Sequence, residues 1–199
     1  MFKRTKAILS FVMCMVLLLA VCVPNFSVLP VSATEYQYKT YDFNDLEVGS
    51  GVTSPWATLN NANATIAQDP DDSTNKCIYV NDKVATDSAA ETTYITFDKV
   101  YDEFVLEAKV RYDKPTNSSG ASLAISTSTT RASNGPEICL HWLASGELAV
   151  YYGGGSSNRY VITSNAWGKW FKFKFTVNPV NRKFDLSVND GEYEYKDLG

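Results

Sequence analysis

From Phe104 onward, several runs alternate apolar and polar residues at every second position. In 104–112, Phe104, Leu106, Ala108, Val110 and Tyr112 point one way, and Val105, Glu107, Lys109 and Arg111 the other. In 170–177, Phe171, Phe173, Phe175 and Val177 alternate with Trp170, Lys172, Lys174 and Thr176. Phe184, Leu186 and Val188 alternate with Lys183, Asp185 and Ser187. A period of two is that of a strand with one face in a core and one in water. After the N-terminal segment, no stretch sustains the i, i+3, i+4, i+7 spacing of a helix.

Turn formers separate these runs. Ser145-Gly146 joins 138–144 to 147–152, and Asn178-Pro179 with Asn181 joins the Phe171 run to the Phe184 run. Asn189-Asp190-Gly191 precedes 192–195, and Asp-Gly is a strong hairpin signal. Further strands are expected at 38–43, 64–68, 77–81, 92–98, 121–127 and 159–163, with polar loops at 69–75 and 115–120. Short strands at this spacing predict an all-β fold, a two-sheet antiparallel β-sandwich. The chain stops just after the last hairpin, so the closing strand or strands are expected beyond residue 199.

The first 33 residues form a different pattern. Lys3, Arg4 and Lys6 precede an apolar run over 7–23, Pro24 ends it, and Val31-Ser32-Ala33 supplies the small residues of a cleavage site. This is the layout of a secretory signal peptide, with cleavage expected between Ala33 and Thr34. Residues 34–199 then form one extracellular or cell-surface domain, with no membrane segment after cleavage. The whole chain has 18 Lys+Arg and 22 Asp+Glu. Three of the bases lie in the signal, so the remainder carries 15 bases against 22 acids, a net charge of −7. Such a surface disfavours nucleic acid as a partner. Cys77 and Cys139 remain after cleavage. Export permits a disulfide between them; two unpaired thiols buried in strands are the other reading, and the one favoured.

Three segments resemble the concanavalin A-like lectin/glucanase group, in the broad sense that includes laminin-G-like modules. They are Tyr41-Asp42-Phe43-Asn44-Asp45-Leu46 with Gly49 and Trp56; the run 104–111; and Trp167 and Trp170 followed by 171–177 and by 184–191 with its Asp-Gly. The likeness covers most of residues 36–195 and implies a jelly-roll sandwich. The group holds sugar-binding modules, glycoside hydrolases, polysaccharide lyases and protein-binding domains, so fold alone does not choose among them.

Catalytic signals are sparse. The group's glucanases use a Glu-x-Asp-x-x-Glu strand motif, which this chain lacks. Glu103 and Glu107 are too far apart along a strand for the ~5 Å carboxyl pair of a retaining glycosidase, and Glu192 and Glu194 read as a solvated face. His141 is the one histidine, which rules out a site with several His ligands. No Gly-x-Ser-x-Gly elbow accompanies it. The Gly153–Gly155 run lacks a phosphate-binding ending and reads as a loop. Asp69, Asp71 and Asp72 with Ser73 and Asn75 form an acidic loop that reads first as a solvated turn and second as a structural Ca²⁺ site.

Aromatic residues that break the alternation are more informative. Trp170 shares a face with Lys172 and Lys174. Tyr151 and Tyr152 are adjacent, so one must leave the core. Arg159 and Tyr160 follow the glycine loop, and Trp142 neighbours His141. Flat sugar faces stack on rings with polar groups alongside. The expected function is therefore a non-catalytic module that binds a polysaccharide or other glycan through Trp142, Tyr151, Arg159, Tyr160 and Trp170. The alternatives are a lyase or hydrolase domain of the same fold, and a cell-surface protein-interaction domain.

Overall fold

The computed structural model describes residues 39–59, 63–81, 92–98, 100–114, 120–126, 138–152 and 158–199. The expected signal peptide, most of the 115–120 loop and the glycine loop lie outside them. The strands are β1 (Trp56–Leu59), β2 (Asn63–Asp69), β3 (Asp72–Asn81), β4 (Thr92–Ile95), β5 (Phe104–Arg111) and β6 (Ala121–Ile125), then β7 (Ile138–Trp142), β8 (Leu148–Tyr152), β9 (Arg159–Thr163), β10 (Trp170–Asn178), β11 (Lys183–Val188) and β12 (Tyr193–Leu198). The fold is all-β, and every strand pair is antiparallel. Among the described residues the helical content is one 3-10 turn at Asn189–Gly191, and no helix is long and apolar enough to cross a membrane.

Two four-stranded sheets carry the core, in the orders β12-β11-β10-β5 and β6-β7-β8-β9; β1-β4 and β2-β3 are two-stranded ribbons. The inward residues are those the alternation selects. Phe171, Phe173, Phe175, Leu186 and Val188 come from the first sheet, and Ile138, Leu140, Trp142, Leu148 and Val150 from the second. Trp142 meets Phe173 edge-on with centroids 5.8 Å apart, which ties the two layers together. Each fully buried side chain of this size stabilises the fold by about 1.5–3 kcal/mol. The outward partners Lys172 and Lys174 stay exposed. The first sheet's outer face is a lattice of charge pairs, with Lys172 2.7 Å from Asp190 and Lys174 3.6 Å from Glu107.

Some local expectations change. Residues 39–43 are not a strand: Asp42 caps the Asn44 amide at 2.9 Å and the Leu46 amide bonds the Phe43 carbonyl, so this Asx-rich stretch forms turns. The expected loop at 69–75 is a tight hairpin. β2 runs to Asp69, β3 starts at Asp72, and Pro70-Asp71 makes the turn. The Ser145-Gly146 turn forms as expected, with Gly146 at φ +91°, a conformation that favours glycine. Cys77 and Cys139 are not joined to each other by a disulfide; the first is half-buried and the second buried.

Candidate functional site

The structure disperses the five residues singled out from sequence. Trp142 is a correction. It is 1 % exposed, on the inward face of β7 with Ile138 and Leu140, so its ring packs in the core and is not presented on the surface.

Trp170 lies on the outer face of the other sheet. Its indole Nε1 donates to Asp69 Oδ1 at 3.1 Å, and the Lys109 ammonium sits 4.7 Å from its ring centroid. One ring face is thus already taken by a cation. Tyr160 pairs with Val150 and shares its inward face, at the open edge of the sandwich. Its ring stacks on Tyr152 at 5.9 Å with 9° between planes and lies 5.6 Å from Tyr195. The Tyr195 hydroxyl donates to the Val161 carbonyl at 3.3 Å. These tyrosines close the gap between edge strands β9 and β12.

Tyr151 and Arg159 come together. They are register partners on the outer face of the β6–β9 sheet, where Cys139, His141, Ala149 and Val161 also lie. The Tyr151 ring is 5.9 Å from His141, and the Arg159 guanidinium carbon is 5.7 Å from the Tyr151 centroid. Arg159 also pairs with Glu147. Glu147, Ala149 and Tyr151 alternate on one face of the same strand run, with Ala149 in the middle. The Arg159 guanidinium reaches both Glu147 and Tyr151, and Ala149, midway between those two along the chain, is fully buried although it faces outward. Tyr151 and the Arg159–Glu147 pair thus share one face with His141 and the small residue Ala149. Rings with polar groups beside them can receive the C–H face and hydroxyls of a sugar.

Sequence reasoning missed two charged residues. Glu147 was read only as the start of a strand; its i, i+4 spacing from Tyr151 across Ala149 was the available signal. Asp69 was read as part of a solvated turn, yet its side chain is fully buried. It accepts from the Asp71 amide at 3.0 Å, Asn75 Nδ2 at 3.0 Å, Trp170 Nε1 at 3.1 Å and Lys109 Nζ at 3.4 Å. Burial by itself raises this carboxyl, but the bonds from Asp71 and Asn75 and the Lys109 charge outweigh it, so the group ends below the ordinary aspartate range. Asp71 accepts from Arg111 at 3.0 Å, and Asp72 from the Thr74 hydroxyl and amide. The acidic hairpin thus directs its carboxylates to protein donors and pins the β2-β3 ribbon onto the first sheet. Among the described residues no group of three or more His, Cys, Asp or Glu is placed to hold a metal ion.

A depression of about 370 Å³ lies on the first sheet's outer face, lined by Glu107, Lys172, Lys174, Ser187 and Asp190. Its lining side chains include no ring and are all polar or charged, the character of a solvated surface. Comparison with known proteins found no family model, no curated protein and no solved structure that matches this chain.

Proposed function

We propose that this chain is a secreted, non-catalytic carbohydrate-binding module with the jelly-roll topology of the concanavalin A-like group, and that it binds a polysaccharide on the outer face of the β6–β9 sheet. One observation carries this: Tyr151, set on the inner strand β8, lies beside both His141 and an Arg159–Glu147 pair. A ring fixed by the sheet loses little freedom when a sugar stacks on it, and the neighbouring polar groups are held in position before the ligand arrives. The outer face of the other sheet is a poorer platform, because its one tryptophan is hydrogen-bonded to Asp69 and covered by Lys109.

The test is retention of residues 34–199 on insoluble plant and microbial polysaccharides, followed by native affinity gels with the soluble forms. Wild type should be retained by at least one glycan, and Tyr151→Ala should lose that retention while keeping its circular dichroism spectrum. Retention of wild type and Tyr151→Ala to equal extent would move the site elsewhere. Retention by no glycan would remove the function.

A further inference from the structure

We infer that the ligand of the β6–β9 face is an uncharged polysaccharide, and that Glu147 is the residue that excludes acidic ones. This rests on the glycan-binding function proposed for the same face and adds the class of glycan.

Among the described residues, Arg159 is the one cation on the outward face beside Tyr151, and a guanidinium is the natural receptor for a uronate carboxylate or a sulfate ester. Here it is not available for that role. Glu147 occupies it, with the two side chains 23 % and 33 % exposed, and the Tyr151 ring lies against it. The pair is electrically matched, so it offers no net attraction for an anion. An acidic sugar would have to displace Glu147 or sit beside its carboxylate, and like charges at such distances repel. A neutral sugar meets no such conflict. Its hydroxyls both donate and accept, and a paired carboxylate and guanidinium offer acceptors and donors side by side. The −7 net charge of residues 34–199 acts in the same direction, because it disfavours the approach of polyanions.

Removing the carboxylate while keeping its shape should reverse the preference. In Glu147→Gln the guanidinium keeps its place against Tyr151 but gains an unmatched charge.

The experiment is native affinity electrophoresis of residues 34–199 through gels that contain neutral polysaccharides (glucan, xylan and mannan types) or polyuronates (polygalacturonate and alginate). Wild type and Glu147→Gln are run in parallel, at low and at high salt. Wild type should be retarded by a neutral polymer, with retardation unchanged by salt, and should pass the polyuronates freely. Glu147→Gln, with an unchanged circular dichroism spectrum, should gain about tenfold in apparent affinity for a polyuronate at low salt, the equivalent of about one charge-assisted hydrogen bond, and lose the gain at high salt. Wild type retarded chiefly by polyuronates overturns the inference and leaves the glycan-binding function standing. A folded Glu147→Gln with no gain also overturns it. Retardation of wild type by no polymer removes the binding function itself, and the inference with it.

Discussion

Replacing Asp69 by asparagine tests how the β2-β3 ribbon is held. The carboxylate is fully buried and receives four hydrogen bonds, from the Asp71 amide, Asn75, Trp170 and Lys109. Asparagine has one acceptor oxygen. Placed at the Oδ1 position, that oxygen keeps the bonds from Asp71 and Trp170, and the new amide group then faces the Asn75 amide and the Lys109 ammonium, donor against donor. Losing the Asn75 bond to a charged acceptor costs about 1.5–3 kcal/mol. The Lys109 pair adds only about 0–1 kcal/mol, because the lysine side chain is 53 % exposed. The total is about 1.5–4 kcal/mol, measured as the shift in urea midpoint at pH 7 times the m-value. The pH dependence has a fixed sign. The native carboxyl lies below its ordinary value, so its contribution is complete above about pH 3.9 and fades as pH falls through the native value. The gap between wild type and Asp69→Asn should therefore close at the acid end. A midpoint shift worth less than about 0.5 kcal/mol at pH 7, or a gap that stays constant down to the lowest pH at which both proteins fold, would refute the assignment of Asp69 as the anchor.

The other outcomes separate core from surface. Trp142→Ala should cost about 3–5 kcal/mol in urea unfolding, as expected for a large buried aromatic; a cost under 1 kcal/mol would place the ring outside the core. Tyr151→Ala should cost about 1 kcal/mol, mostly its contact with Arg159, while abolishing glycan retention. Cys77 and Cys139 should both alkylate in denatured, unreduced protein that begins at Thr34, adding two adducts by mass; absence of both adducts would mean a disulfide. In the native protein Cys77 should react slowly at pH 8, because burial raises its thiol above the ordinary value.

The strands were legible because a sheet with one dry face imposes a two-residue period on the sequence. Phe171, Phe173 and Phe175 turned inward as that period required, and the hairpins at Asn178–Asn181 and Asn189–Gly191 formed where the turn residues lay. Even the correction at Trp142 was visible in principle, since it has the parity of Ile138 and Leu140. That strand is apolar or aromatic on both faces, so the phase was easily misjudged. The same parity, counted from Leu148 and Val150, turns Tyr152 inward and leaves Tyr151 outside.

The candidate site was less legible, because its pairs form between residues that sequence does not place together. Trp170 reads as a stranded ring until Asp69, 101 positions earlier, is seen hydrogen-bonded to its indole. Arg159 reads as the first residue of a strand after the glycine loop, and only the β8–β9 register brings it beside Tyr151 and within reach of Glu147. The sequence by itself determined which face of each strand is dry, since burial of apolar area is set residue by residue. Which charges cancel, and which rings remain open to a ligand, was decided only by the tertiary structure, because those properties depend on distances between strands that the local pattern does not specify.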